Sequence, residues 1–409
     1  MNIAAVRKID FWLGIPLCWI CTVIDRILSI FLKPATVATP PKNVLFIELS
    51  EMGSAIIAYS AIQKTRALFP AANLFFLIFE ENQESVYFTN VIPQEHVFTI
   101  RSKGGACGFL RDTLAVLMKM RRCRIDTAID LELFSRATSL LSYLSGAQRR
   151  VGFHKFRMEG LSRGDLLTHK VQYNVYQHTA LNFLNLVYAL NAPMDEVPRL
   201  KHHLTDTPIV PRLESSETER ASMFAKLQHI QPKLTTSDTL IVFNPNAGLL
   251  PIRAWPLPKY VELAQRLTKH EAVYIVVMGV NAASKDAAVI AAAIGDRCID
   301  LTNRTTLREV IDLFNLAAVL VTNDSGPAHF AALTPIKNFV FFGPETPSLY
   351  APLGTQTFPI FANYSCSPCL SAFNHRNTPC TDPQCIKHIP VDEVYARIMQ
   401  QLYPPDGEL

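Results

Sequence analysis

A short run of small and polar residues carries the strongest chemical signal in the sequence. It reads Asn323-Asp324-Ser325-Gly326-Pro327-Ala328-His329 and follows the apolar run Val319–Thr322. An apolar run of this length is typical of a buried strand, and proline at position 327 is favoured in the first turn of a helix. A strand-to-helix turn of this kind points backbone N–H groups outward at the positive end of the helix dipole, which favours anion binding.

Four residues of this run are predicted to shape a phosphate site. Gly326 lets a phosphate approach the backbone closely, and the Ser325 hydroxyl adds a hydrogen-bond donor. Asp324 would accept a hydrogen bond from a hydroxyl of a sugar or ribose, or cap the helix. His329 lies one turn further on the same face as Ser325. The alternative interpretation is an ordinary helix cap with no ligand.

A second run with similar chemistry follows the apolar segment that ends at Asn244. It reads Asn244-Pro245-Asn246-Ala247-Gly248 and continues to Arg253-Ala254-Trp255-Pro256. Asn246 and Gly248 can bend the loop back, and Arg253 supplies a fixed positive charge suited to a diphosphate. A plain turn with a solvated arginine is the alternative.

Four of the nine cysteines cluster late in the chain. They are Cys366, Cys369, Cys380 and Cys385, in the pattern C-x2-C-x10-C-x4-C, with His375 and His388 nearby. Four thiolates at such a spacing can close a tetrahedral zinc site, although the C-x4-C half is looser than usual. Structural zinc, buried free thiols and a disulfide all stay open, and the odd, scattered remainder favours a reducing compartment.

Alternating strand and helix patterns position these runs. Strands are predicted at 44–49, 74–79, 97–100, 127–131 and 150–153, and again at 239–244, 272–278, 319–322 and 337–342. Helical patterns separate them, which argues for parallel sheets with helices on both faces. The 409 residues suit two domains. We expect an α/β fold with two Rossmann-like domains that face a central cleft. Residues 1–42 would be a membrane-proximal segment with its linker, and 43–210 and 211–390 the two domains. Residues 391–409 would be a C-terminal helix and tail.

The first forty or so residues differ from the rest. From Trp12 to Leu32 they are nearly apolar and long enough to span a bilayer. The few polar residues recur at spacings of three and four, so they share one stripe of an amphipathic helix. These polar residues are Thr22, Asp25, Arg26, Ser29 and Lys33. The stripe and the tryptophans Trp12 and Trp19 favour a helix lying in a membrane interface. A helix packing its apolar face on the protein, and a true span, are the alternatives.

The overall charge excludes one broad class of function. The formal net charge is only +4, which is too small for a dedicated nucleic-acid binder. Local basic patches that face phosphorylated substrates or an anionic membrane remain compatible with it.

Together these motifs resemble the signature of glycosyltransferase family 9, the heptosyltransferases. The runs at 323–329 and 341–347, with those at 244–248 and 253–256, are similar to the family's donor domain. Asp130-Leu131-Glu132 with Ser135-Arg136, and the run 150–153, are similar to its acceptor domain. The resemblance extends over roughly residues 43–399.

This resemblance implies a GT-B fold and an inverting transfer without a catalytic metal. A nucleotide sugar, with ADP-heptose as the leading candidate, would bind the second domain through Ser325 and Gly326. Arg253 would neutralise the charge of the leaving group. The acceptor would be a lipopolysaccharide-type or other lipid-linked glycan, bound near Glu132 and Arg136 at the cytoplasmic face of the inner membrane. Ser135, Arg150, His154 and His178 are further acceptor-side candidates.

The chain departs from the family pattern after its first strand. Many members carry a Gly-Asp pair whose aspartate is the general base, whereas this chain has Ser54 there. A serine hydroxyl cannot act as a base unaided at neutral pH. We predict that Glu51, in the same loop, takes the role; Glu48 is an alternative. A catalytically silent nucleotide- or glycan-binding protein and a sugar-nucleotide epimerase are the competing functions.

Overall fold

The computed structural model describes residues 3–31, 39–102, 105–133, 135–155, 161–192, 203–248, 250–280, 283–371, 374 and 376–404. It divides into two compact units. The first comprises Met1–Ile209 with Ser371–Asn377, and the second comprises Val210–Leu370 with Thr378–Leu409. Leu32, Lys33, His375 and most of the predicted linker lie outside the described residues.

The first unit is built on a six-stranded parallel sheet. Its strands are β1 (Asn43–Ile47), β2 (Asn73–Phe79), β3 (Val97–Ile100), β4 (Thr127–Asp130), β5 (Arg149–Phe153) and β6 (His169–Val171), in the order β3-β2-β1-β4-β5-β6. Its helices are α1 (Ile3–Trp12), α2 (Gly14–Phe31), α3 (Met52–Ile57), α4 (Tyr59–Leu68), α5 (Glu84–Tyr87), α6 (Gly105–Arg122), α7 (Arg136–Leu144) and α8 (Thr179–Ala189). The central strands are almost continuously apolar because helices cover both faces of a parallel sheet.

The second unit repeats this plan. Its strands are β7 (Thr239–Asn244), β8 (Val273–Val277), β9 (Cys298–Asp300), β10 (Val319–Asn323), β11 (Lys337–Phe342) and β12 (Thr357–Phe361), in the order β12-β11-β10-β7-β8-β9. Its helices are α9 (Glu217–Ile230), α10 (Leu257–Leu267), α11 (Ala283–Ile294), α12 (Leu307–Leu316), α13 (Gly326–Ala331), α14 (Pro347–Tyr350), α15 (Gln384–Lys387) and α16 (Val391–Leu402). All strand pairs are parallel, and α16 packs against α10.

Both sheets have the strand order of a Rossmann fold. In each unit the first strand pairs with the second on one side and with the fourth on the other. The chain therefore leaves the middle of the sheet in opposite directions, which opens a crevice at the carboxyl ends of these two strands. In this chain the crevices lie beyond β1 and β4 and beyond β7 and β10.

The predicted α/β class with two parallel sheets is confirmed, whereas three strands were missed. These are β6, β9 and β12, and each forms an edge of its sheet. Edge strands are covered less completely than central ones, so their sequences lack a long apolar run. Pro359 lies within β12. A proline argues against a strand when only the sequence is read, although an edge strand tolerates it.

Helices α1 and α2 attach to the first unit through polar side chains. The Asp10 carboxylate accepts hydrogen bonds from the Arg136 backbone N–H at 2.9 Å and from its guanidinium at 2.8 Å. The Thr22 hydroxyl accepts from the backbone N–H of Asp165 at 3.0 Å, and Arg26 pairs with the Asp165 carboxylate at 3.0 Å. Thr22 of the polar stripe therefore faces the protein, whereas Arg26 is 72% exposed and contacts it from the surface.

The apolar face of these helices is exposed. Trp12, Trp19, Ile30 and Phe31 are 67–79% exposed, and the neighbouring leucines and isoleucines are exposed as well. The alternative in which the apolar face packs on the protein is therefore wrong. By length and composition alone, Lys8–Phe31 could cross a membrane, and only 11% of its most apolar 18-residue window is buried.

The Asp10–Arg136 pair gives a direct test of how α1 is attached. Arg136 is 8% exposed, so Asp10→Ala leaves a buried guanidinium without its carboxylate, which costs about 3–5 kcal/mol. Asp25 is 36% exposed and lies 3.9 Å from Arg150, so Asp25→Ala should cost less than about 1 kcal/mol. Urea unfolding followed by circular dichroism measures both. Equal losses would contradict the assigned role of Asp10.

Candidate active site

The carboxyl ends of β7 and β10 are joined by buried amide side chains. Asn244 donates from Nδ2 to the Thr322 hydroxyl at 3.0 Å. Asn323 donates to the Pro245 carbonyl at 2.7 Å and accepts from the Trp255 backbone N–H at 2.8 Å. The Asn323 side chain thus binds the loop after β7 at two points, and this aligns the two motifs that were found separately in the sequence.

This alignment brings Arg253 next to Asp324. Arg253 ends a short 3₁₀ turn, and its guanidinium donates to the Asp324 carboxylate at 2.9 Å. The two side chains are 15% and 7% exposed. The Nε atom of Arg253 is buried and has no hydrogen-bond acceptor among the residues that the structure describes. A buried donor without an acceptor costs free energy, so this atom points to a ligand.

The start of α13 lies beside this pair. Ser325 precedes the helix in an extended conformation, and its side chain makes no capping hydrogen bond. Its hydroxyl donates instead to the Asn323 carbonyl at 3.1 Å. Gly326 begins the helix, whose first N–H groups have no partner within the helix. His329 is buried one turn later.

The loop after β7 is shaped as the sequence indicated. Gly248 has a φ of +62°, which favours glycine, and its N–H donates to the Asn246 side chain at 2.7 Å. Trp255 is buried, stacks on Phe341 with ring centroids 4.5 Å apart, and donates to the Ile389 carbonyl. The loop therefore returns to the core immediately after Arg253.

Acidic residues meet at the corresponding position of the first sheet. Glu132, beyond β4, accepts hydrogen bonds from the Ser50 hydroxyl at 3.0 Å and the Leu49 N–H at 3.3 Å, both beyond β1. Glu48 is buried and accepts from the Glu51 N–H at 3.4 Å. Burial raises the pKa of Glu48 well above its ordinary value, and the charges of Glu132 and Glu51 add to this.

Glu48 and Glu132 share a hydrogen bond in this cluster. Burial, followed by the charges of Glu51 and Asp130, also raises the pKa of Glu132, whereas the bond from Glu48 lowers it. Glu48 therefore keeps the proton and donates a hydrogen bond to the Glu132 carboxylate. A protonated Glu48 is poorly suited to act as a base at neutral pH.

Glu51 is the most accessible carboxylate of the three. Its side chain is 42% exposed, it accepts from the Ser54 hydroxyl at 3.0 Å, and it forms an ion pair with Arg376. Arg376 is 325 positions away in the chain but belongs to the first unit. The sequence analysis missed Arg376 because no local pattern marks this contact.

Comparisons with known proteins agree with this geometry. A family model described as glycosyltransferase family 9 (heptosyltransferase) matches residues 113–378, more than half of the chain.

The chain belongs to glycosyltransferase family 9.

Individual members of the family resemble the chain over most of its length. It is 26% identical to lipooligosaccharide heptosyltransferase 2 of Haemophilus influenzae, covering 77% of this chain and 87% of the relative. Its fold is similar to that of Escherichia coli ADP-heptose lipopolysaccharide heptosyltransferase II, with a TM-score of 0.67, 20% identity and coverage of 88% and 98%. A family 9 glycosyl transferase from Veillonella parvula gives a TM-score of 0.69 at 17% identity, with coverage of 88% and 97%. The chain is thus a glycosyltransferase, and the predicted family resemblance is confirmed.

Several acceptor-side candidates of this glycosyltransferase have structural partners. Arg136 binds Asp10, and Ser135 caps α7 through the Thr138 N–H. His178 caps α8 through the Ala180 N–H, and Arg150 lies 5.3 Å from the centre of the Tyr143 ring. Among these candidates, Glu132 belongs to the acidic cluster that also contains the predicted base, and the charge of Glu51 acts on it.

Two other residues lie on the same side of the first unit. Burial, with a smaller effect of Lys170, lowers the pKa of His154 to about 4, so this side chain is neutral at physiological pH. Arg163, which the sequence analysis missed, is 2% exposed and binds the buried Asp130 at 2.7 Å. It also donates to the Glu132 carbonyl at 2.7 Å and thereby supports the loop that carries Glu132.

The structure does not support zinc in this family 9 member. Cys366, Cys369, Cys380 and Cys385 form no disulfide with one another. Within the described ranges, no group of three or more histidine, cysteine, aspartate or glutamate residues could hold a metal ion. Burial and the neighbouring thiols, Cys369 first among them, raise the pKa of Cys385.

The buried proton on Glu48 predicts a dependence of stability on pH. Folding raises the pKa of Glu48. Its contribution to the free energy of unfolding is therefore fully present below about pH 4.5 and is lost as pH rises through the folded-state pKa. The amide in Glu48→Gln keeps the donor to Glu132 at every pH. We expect the melting temperature of Glu48→Gln to rise relative to the wild type between pH 5 and pH 9. The exposed Glu95→Gln is the control, and a constant difference for Glu48→Gln would contradict the shared proton.

Proposed function

We propose that this glycosyltransferase moves a heptose from ADP-heptose to a lipopolysaccharide-type glycan, with inversion and without a catalytic metal. The observation that carries the proposal is the Arg253–Asp324 pair beside the start of α13. The buried Nε of Arg253 has no acceptor among the described residues, and a ligand could supply one. The names of the relatives from H. influenzae and E. coli support the donor and the acceptor class.

The second unit would bind and stabilise the leaving group. Diphosphate oxygens would accept from the backbone N–H groups of Ser325 and Gly326 and from the remaining donors of Arg253. As the bond from the sugar to the diphosphate breaks, negative charge grows on its oxygen, and these fixed donors stabilise that charge. Asn246, Gly248, Asp324 and His329 would shape the pocket for the rest of the donor.

The first unit would activate the acceptor. The acceptor hydroxyl oxygen forms a bond to the anomeric carbon from the side opposite the diphosphate, and its proton passes to Glu51. Ser54 donates to one carboxylate oxygen of Glu51 and Arg376 binds the other, so the carboxylate is held in one orientation. Glu132 would contact the acceptor. Glu48 is the weaker candidate for the base because it already holds a proton.

Replacing Glu51 tests the base. With ADP-heptose and a heptose-deficient lipopolysaccharide core, Glu51→Gln should lower kcat by about 100-fold or more, since it removes the proton acceptor and keeps the shape. KM should change little. Ser54→Ala, which removes only a hydrogen bond, should lower kcat by less than about tenfold. Release of ADP and mass analysis of the glycan measure the reaction.

Glu48→Gln, in the same cluster, is the matched control and should retain activity. Full activity of Glu51→Gln would exclude it as the base. Binding of ADP-heptose without turnover on any core acceptor would contradict the proposed transfer, and loss of activity in EDTA would contradict metal independence.

We further propose that the enzyme is cytoplasmic and lies on the inner membrane through the exposed apolar face of α1 and α2. Attachment is favoured over a span because Asp10, together with Thr22 and Arg26 of the polar stripe, is bound to the first unit. A span would separate all three from their partners in hydrocarbon, where charged side chains are costly. Helices that lie in the membrane interface often have tryptophan at the level of the headgroups. Trp12 and Trp19 would occupy this level.

Vesicle binding tests this attachment. Replacing both Trp12 and Trp19 with glutamine should weaken co-sedimentation with bacterial-lipid vesicles by about tenfold or more, because two large apolar contacts are lost. Tyr176→Gln, which changes an aromatic residue that is 90% exposed elsewhere in the first unit, should bind as the wild type does. Resistance of the wild type to alkaline extraction from membranes would instead indicate a span.

A further inference from the structure

Helix α6 carries a second exposed apolar surface in the first unit. Leu110, Leu114 and Met118 are 59%, 52% and 55% exposed. They are spaced four residues apart, so they form one ridge along the outside of the helix. The opposite side of α6 packs in the core through Val116 and Met120. The ridge is therefore surface that remains after the helix has made its own packing contacts.

Basic residues border this ridge. The sequence of α6 contains four basic residues and one acidic residue, Asp112. Arg111, Lys119 and Arg122 are exposed. Asp112 is only 15% exposed and pairs with Arg101 at 2.7 Å and with Arg111 at 3.4 Å, which leaves a net positive charge on this group. The outer surface of α6 therefore combines apolar side chains with a positive charge.

The ridge lies on the same side of the first sheet as α1 and α2. Val116 of α6 and Leu141 of α7 belong to one core cluster against this side. Arg121 of α6 also donates to the carbonyl of Leu144 in α7 at 2.9 Å. Helix α2 packs against α7. Helix α7 thus contacts both the layer formed by α1 and α2 and helix α6.

We propose that the α6 ridge is a second contact with an anionic lipid bilayer. Apolar side chains would enter the boundary between headgroups and acyl chains, while arginine and lysine reach the negative headgroups. A second copy of the chain is a poorer partner, because a two-fold contact would bring the same positive border against itself. The proposal rests on the membrane attachment proposed above and adds a second site to it.

Two contacts on one unit have a physical consequence. A single interfacial element binds reversibly, and a second element with basic residues strengthens binding and limits rotation of the unit on the surface. Each cation near an anionic surface contributes about 1 kcal/mol, or about fivefold in affinity. The basic residues should therefore strengthen binding to anionic lipid and have little effect on binding to neutral lipid.

Vesicle binding by the full chain tests the proposal. The first variant replaces Leu110, Leu114 and Met118 with glutamine, and the second replaces Arg111, Lys119 and Arg122 with glutamine. On vesicles of phosphatidylglycerol and phosphatidylethanolamine we expect both to bind at least about tenfold more weakly than the wild type. On phosphatidylcholine the second variant should match the wild type. Val289→Gln, on an exposed position of α11 in the second unit, is the control.

The outcomes separate this proposal from the one on which it rests. If the wild type binds no vesicles, the attachment itself is wrong. If the wild type binds and the Trp12 and Trp19 variant is weakened while both α6 variants bind normally, only the α6 contact is wrong. A wild-type dimer that becomes a monomer when the ridge is changed would show a contact between copies and overturn the proposal. Circular dichroism confirms that each variant is folded.

Discussion

In each unit the first strand of the sheet pairs with the fourth, so the loops that follow these two strands lie side by side. One contact in each unit depends on this adjacency. It brings Arg253 to Asp324 in the second unit, and it brings Glu132 to Ser50 in the first. Without it the motifs would be separate loops, each with an ordinary structural explanation.

The two loop pairs differ in their electrostatics although their topology is the same. The second unit presents a buried guanidinium and the start of a helix, both of which favour negative charge. The first unit presents carboxyl groups in different states: Glu48 holds a proton because it is buried, and Glu51 is exposed and ion-paired. Transfer of a sugar needs both kinds of environment, one for a departing diphosphate and one for the proton of the acceptor hydroxyl.

The N-terminal helices reverse the usual orientation of an amphipathic helix on a globular protein. Asp10, Thr22 and Arg26 bind the first unit, and Asp10 accepts from the first N–H groups of α7. Helix α7 begins only a few residues after Glu132, and Arg163 ties the intervening loop to Asp130. The layer formed by α1 and α2 and the loop that carries Glu132 are therefore joined by short polar contacts within one unit.

The sequence by itself determined the features that depend on short-range chemistry. The apolar runs at 239–244 and 337–342 match β7 and β11 in both bounds, and the Asn323–His329 run marked its strand-to-helix turn, because strand burial and helix starts leave local patterns. The family followed from the same runs. The tertiary structure alone decided the partners of Glu51 and Glu48, the side of α2 that faces the protein, and the edge strands. Those depend on groups far apart in the chain, such as Glu51 and Arg376, whose burial and pairing no local spacing encodes.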